Sequence, residues 1–150
     1  MRNDGTSLQD KLQKALKEYC ETSPAYWHRF PDTKSAGRGN YLKAQPGDYM
    51  LLVPGPCLLI ECKSTMVGTG IISMAFHGGT GKNQIAKHRL WHRAGHPTLY
   101  LWGDLANKEV QWHSGRAVVK KISKPLVIGG LDNLLGTLPD VIKIISRETI

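Results

Sequence analysis

The sequence predicts a mixed α/β domain, a central sheet flanked by helices, and three observations carry that expectation. An amphipathic stripe opens the chain, two apolar runs joined by Pro54-Gly55-Pro56 follow, and a second helical stretch then leads into further strand-like segments. At 150 residues the chain fits one domain, 1–150. A fold of that size buries roughly 70% of its unfolded surface without disulfides or structural metal.

Ser7 is placed to N-cap a helix with Asp10 three residues on, and Leu8, Leu12, Leu16 and Tyr19 form one apolar stripe. A helix from about Leu8 to Cys20 is expected. Pro24 closes it, and Ala25 to Phe30 reads as a short aromatic strand. Pro31 to Pro46 is a long polar stretch carrying Lys34, Gly37, Arg38, Gly39 and Lys43; a basic, glycine-containing loop of that length is usually functional or disordered. Asp48 to Val53 and Cys57 to Lys63 flank the Pro54-Gly55-Pro56 turn, so a β-hairpin is expected there. Gly68 to Gly81 is a glycine-rich connection, and Asn83 to Ala94 is expected to be a helix that stops at Gly95. Thr98 to Trp102, Val110 to His113 and Val118 to Ile122 read as strands, and the Leu-rich segment Leu131 to Ile145 as helical after Pro139.

Met1 to Thr6 is polar and no run approaches a membrane span, so neither a signal peptide nor a membrane helix is expected, and the cytoplasm is the expected location. Cys20, Cys57 and Cys62 are odd in number and form no CxxC pair, which argues for reduced thiols over a disulfide framework or a cysteine zinc site. Lysines and arginines outnumber acidic residues 20 to 12, a formal charge of +8. A polyanionic partner is therefore favoured, and basic residues scattered through a globular pattern point to a folded nucleic-acid binder.

The chemistry concentrates in the hairpin. Asp48 follows Pro46-Gly47 at the start of its first strand, and Glu61 and Lys63 lie two apart near the end of its second. Period-two alternation puts Glu61 and Lys63 on one face, with Cys62 pointing the other way, and a tight hairpin brings Asp48 alongside. Two carboxylates with the backbone carbonyl of Cys62 make a hard-oxygen site suited to Mg²⁺ or Mn²⁺. Such an ion polarises a phosphoryl oxygen and acidifies a bound water, while the Lys63 ammonium positions that water or offsets charge in the transition state. An ordinary charged strand end is the bland alternative for Glu-x-Lys. Against it, Glu61 and Lys63 end the apolar run Cys57-Leu58-Leu59-Ile60, where charge is costly unless used.

Pro46-Gly47-Asp48, twelve residues, then Glu61-Cys62-Lys63 resembles the PD-(D/E)XK nuclease superfamily, with an extra Gly between Pro and Asp. The thirteen-residue step from Asp48 to Glu61 is similar to that of its Holliday-junction resolvases, and Leu8-Gln9-Asp10-Lys11-Leu12 resembles the first helix of phage four-way-junction endonucleases. The resemblance covers about Leu8 to Trp102. It implies a restriction-endonuclease-like core, a homodimer cutting two strands symmetrically, and a Gln at position 84 that contacts the nucleophilic water or the DNA. It also implies a metal ligand on the first helix, where Gln9 stands in place of Glu; an amide oxygen binds Mg²⁺ but brings no charge, so Asp10 or Glu18 is the alternative source.

Other signals weigh less. Gly78-Gly79-Thr80-Gly81-Lys82-Asn83 fails the Walker pattern, with Phe76 and Asn83 at two key positions, so no nucleotide cofactor is expected, although its backbone amides suit a DNA phosphate. His88, His92 and His96 recur every four residues, but Gly95 and Pro97 end the helix before the third joins, which disfavours a three-histidine zinc site. With Lys82, Lys87, Arg89 and Arg93 these histidines read as a solvated basic face able to hold phosphates. Trp91 and Trp102 read as core; Tyr26 and Trp27, beside His28 and Arg29, are the better candidates for stacking on bases, although a structural role is the expectation for these too.

The expectation is a metal-dependent, structure-specific DNA endonuclease leaving 5′-phosphate and 3′-hydroxyl ends. Asp48, Glu61, Lys63 and Gln84 would be catalytic, and Asp48, Glu61, the Cys62 carbonyl and Gln9 would hold metal. Arg29, Lys34, Arg38, Lys43, Lys82, Lys87 and Arg93 would grip DNA. A nuclease of repair, replication or restriction acting on flaps, nicks or duplex uses the same residues, and a DNA-binding module without turnover is the reading from another class.

Overall fold

The computed structural model describes residues 5–31, 47–65, 81–120, 122 and 124–147. They build a six-stranded sheet in the order β1-β2-β3-β4-β5-β6. Helix α1 (Gly5–Thr22) precedes β1 (Tyr26–Arg29), β2 (Tyr49–Leu52) and β3 (Cys57–Thr65). Helix α2 (Gly81–Arg93) then connects β3 to β4 (Thr98–Asp104), followed by β5 (Glu109–Ser114), the short helix α3 (Gly115–Val119), β6 (Val127–Gly130) and α4 (Leu134–Ser146). Neighbours pair antiparallel except β3 and β4, which run parallel through the α2 crossover. The chain is thus α/β with a mixed sheet. The stretch bearing Lys34, Arg38 and Lys43 and the glycine-rich connection before α2 lie outside the described residues.

Alternation along the strands sorts side chains onto two cores. Tyr49, Leu51, Leu58, Ile60, Cys62, Leu99 and Leu101 pack with Leu8, Leu12 and Leu16 of α1 and with Leu138, Val141 and Ile145 of α4. On the opposite face, Tyr100 and Trp102 pack with Ile85 of α2 and Val118 of α3. The sheet therefore separates the α1–α4 layer from the α2–α3 layer. Cys20, Cys57 and Cys62 are free thiols. Among the described residues no helix is long and apolar enough to cross a membrane.

Four local expectations are corrected. Helix α1 begins at Gly5, so Ser7 lies within its first turn and does not cap it. Val118 and Val119 lie in a helix and not in a strand: the Ser114 hydroxyl accepts the Ala117 N–H at 3.0 Å and caps α3, which buries Val118 against the sheet. Helix α4 starts before Pro139 rather than after it. A proline there forfeits the bond to Leu135 O and costs about 3 kcal/mol, but the buried stripe of Leu134, Leu138, Val141, Ile142 and Ile145 supplies roughly 1.5–3 kcal/mol per side chain and outweighs it. The sixth strand, Val127–Gly130, pairs with β5 and was not expected at all.

His113, fully buried on β5, donates from Nε2 to Gln111 Oε1 at 3.1 Å. Burial pushes its imidazole down to about 4, whereas an unfolded histidine titrates near ~6.5. Between those values the unfolded chain binds the extra proton, so the stability that neutral His113 carries is complete above the window and lost as pH falls through it. The urea midpoint is expected to fall from about pH 7 to about pH 4.5 by more in the parent than in His113→Gln, a difference on the order of 2 kcal/mol. Parallel pH profiles would remove His113 as the cause.

Candidate functional site

The hairpin register pairs Tyr49 with Ile60, which sets Asp48 one step further on, opposite Glu61. Backbone bonds fix Asp48 on both sides: its N–H donates to Ile60 O at 3.0 Å, and its carbonyl accepts the Phe30 N–H at 2.9 Å. Gly47 lies so close to β3 that a Cβ would stand 3.1 Å from Ile60 O and 3.1 Å from Leu59 Cδ1. The glycine interposed between Pro46 and Asp48 is therefore what lets this segment lie against the strand.

The Asp48 carboxylate turns onto β3, where Oδ2 accepts the Cys62 N–H at 2.7 Å. The Leu59 N–H reaches Pro97 O on the β4 side, while Ile60 O meets Asp48 on the β2 side. The same alternation directs both the N–H and the carbonyl of Cys62 towards Asp48. The Asp48 carboxylate and the Cys62 main chain thus meet just beyond the end of β2.

Glu61 and Lys63 share the α2 face of β3, and Lys63 Nζ lies 3.4 Å from Glu61 Oε1. Glu61 is 1% exposed and Lys63 25%, so a carboxylate is held inside while its ammonium reaches water. Burying such a group costs several kcal/mol unless it is compensated, and the ion pair with Lys63 supplies compensation. The Cys62 thiol, on the other face, is pushed well above its ordinary range by burial first and then by the charges of Asp48 and Glu61, against the opposing effect of Lys63. It stays protonated, and only its main chain serves the site.

Tyr100 is the register partner of Glu61 on β4. Burial, and next the Glu61 charge, raise its phenol far above the ordinary value. His88 of α2 lies on the Tyr100 ring with centroids 4.6 Å apart and is 1% exposed. This corrects the solvated basic face: His88 belongs to the interior, one turn on from buried Ile85, while Lys87, Arg89 and Arg93 are exposed.

The structure brings together Asp48, the Cys62 backbone, Glu61 and Lys63. Gln84 lies on α2, over the same face, with its side chain outside the described residues, as is that of Lys82. Gln9 lies on α1, against the opposite face, and its backbone carbonyl accepts the Tyr49 hydroxyl at 3.3 Å. Arg29 is exposed on the edge strand β1 and contacts Gln13 Oε1 at 3.5 Å. Tyr26, at the other end of that strand, is exposed, whereas Trp27 packs against Tyr49. The sequence reading passes over Tyr100 and assigns His88 to the basic face, although period-two alternation from Trp102 and the helical step from Ile85 each carry a signal.

Comparison with protein-family models and with curated proteins gives no match. What the site can do is therefore argued from its atoms.

Among the described residues no three His, Cys, Asp or Glu side chains converge. A divalent ion here would rest on Asp48, Glu61, the Cys62 carbonyl and water. That donor set fits Mg²⁺, which is commonly held by one or two carboxylates and keeps several waters, better than it fits a soft metal.

Proposed function

We propose that this chain is a Mg²⁺-dependent DNA endonuclease with a restriction-endonuclease-like core, of the PD-(D/E)XK kind, and that its preferred substrate is a four-way junction. The observation that carries the reading is the Asp48 carboxylate hydrogen-bonded to the Cys62 amide, opposite Glu61, with Lys63 Nζ 3.4 Å from Glu61. Mn²⁺ would substitute for Mg²⁺, and the working form would be a homodimer cutting two strands symmetrically in the cytoplasm.

In this reading the ion, when bound, supplies a polarised phosphoryl oxygen and an acidified water. Asp48 and Glu61 would hold it, with the Asp48 carboxylate already fixed by the Cys62 amide. Lys63 stands at the mouth of the buried site, where its ammonium orients the attacking water or offsets charge on the phosphate. Gln84, whose helix covers the Glu61 face, is the supporting candidate, and Gln9 stands on the opposite face. The net charge of +8 favours a polyanionic substrate.

Cleavage of a labelled four-way junction, with matched linear, nicked and flap DNA beside it, tests the proposal. Paired symmetric nicks on the junction are expected, in Mg²⁺ and not in EDTA, with Lys63→Ala slower by about 10²-fold or more. Equal cutting of all four DNAs would retain the nuclease and discard the junction preference. Tight binding in EDTA with no cutting in either Mg²⁺ or Mn²⁺ would mark a binding module.

A further inference from the structure

On the face of the sheet that carries Glu61, helices α2 and α3 enclose a cleft of about 420 Å³. Arg89 and Arg93 line one wall, and Arg116 and Lys120 line the other. The walls stand close because Gly115 presses on β4: a Cβ there would fall 1.6 Å from Thr98 Oγ1. Arg116 donates to His92 Nε2 at 3.3 Å. A guanidinium has only donors, so that nitrogen of His92 is the acceptor.

Among the described residues no acidic side chain lines the cleft and no carboxylate pairs with any of these four cations. Like charges facing one another across a concave surface repel and concentrate a positive potential, which favours an anion from outside. Their arrangement also selects the kind of anion. Arg89 and Arg93 stand four residues apart on α2, a rise of about 6 Å, while Arg116 on α3 and Lys120 just past its end line the other wall. Cations spread over two walls rather than gathered at one focus match the repeated charges of a phosphodiester chain better than a single compact ion.

We infer that the α2–α3 cleft seats the backbone of a DNA strand, apart from the phosphate that reacts. The inference rests on the DNA-binding part of the proposed function and not on its chemistry. Contacts of this kind fix register and orientation without reading sequence. The cleft also lies next to the candidate site: His88, which lines it, stacks on Tyr100, and Tyr100 is the register partner of Glu61. A strand held there is well placed to orient another part of the same DNA at Asp48 and Glu61.

The test is binding of labelled junction and duplex in EDTA across a salt series, by the parent, by Arg116→Gln/Lys120→Gln and by Arg89→Gln/Arg93→Gln. Cleavage in Mg²⁺ is measured separately on each protein. All four residues are exposed, so the variants are expected to melt with the parent. Each pair is expected to weaken binding about tenfold at ~0.1 M salt and to flatten the slope of log K against log salt by about 1.8. Parental affinity and slope in both pairs would overturn the cleft, leaving the nuclease standing if the parent cuts. Binding weakened in both pairs, with a parent that cuts nothing, would uphold the cleft and sink the proposed chemistry. A parent that binds neither DNA would overturn both. Inorganic phosphate that displaces DNA beyond the effect of chloride at equal ionic strength, and does so only with Arg116 present, would assign the cleft to a small anion and overturn the strand.

Discussion

Glu61→Gln is expected to slow cleavage of a four-way junction by about 10³-fold while leaving the protein folded and its melting temperature close to the parent's. The two halves of that result have different causes. On the proposed reading the activity falls because one of the two carboxylates that would hold a divalent ion becomes neutral, and Asp48 alone would bind it weakly. The stability holds because Glu61 is 1% exposed while Lys63 is 25% exposed: the neutral side chain sheds the carboxylate's desolvation cost, and the ammonium left behind reaches water rather than being stranded in the interior. Mg²⁺ separates a ligand from a merely structural acid. It should raise the melting temperature of the parent, by the equivalent of about 2.7 kcal/mol at a hundredfold excess over Kd, and should not move the variant. A Glu61→Gln protein that cuts at the parental rate would remove Glu61 from the chemistry, and with it the proposed function.

The hairpin that carries this site was legible because each of its signals was local. Alternation along Cys57 to Lys63, the Pro54-Gly55-Pro56 turn and the charged pair at the end of an apolar run all reside within one stretch of chain. Sequence spacing could also place Asp48 beside Glu61, since a tight hairpin has few registers available. The partners contributed by other elements were harder to see. Tyr100 meets Glu61 only because β3 and β4 run parallel in a particular register, which depends on the whole crossover through α2. His88 was obscured by its neighbours Lys87 and Arg89, whose charge suggested a wet face, although the helical step from Ile85 pointed inward.

Elements went wrong where tertiary burial overrode local preference. Val118-Val119 is β-branched and reads as strand, yet the Ser114 cap and the close seat of Gly115 on β4 make it the helix α3. Pro139 reads as a helix start, yet the apolar stripe on both sides of it runs on one helix. The basic stretch with Lys34, Arg38 and Lys43 lies outside the described residues, so its part in gripping DNA stays with the proposal.

Gly115→Ala is expected to be among the most damaging single-methyl substitutions in the chain, destabilising it by about 2 kcal/mol or more in urea unfolding. A Cβ at that position would fall 1.6 Å from Thr98 Oγ1 and 2.8 Å from Thr98 Cβ. A rotamer change moves the hydroxyl but cannot move the Cβ. The remaining relief is for α3 to lift from β4, and that uncovers Val118 and Trp102, which share the small core on this face. Lifting α3 also carries Arg116 away from His92 and widens the cleft, so DNA binding should weaken along with stability. Thr98→Ala removes the hydroxyl and keeps the Cβ, so it should recover part of the loss and no more. The two sites should therefore show a coupling energy in a double-mutant cycle, as contacting residues do. Full recovery would place the whole clash at the hydroxyl. Simple additivity would mean that α3 does not sit against Thr98, and the close approach that forms the cleft would go with it.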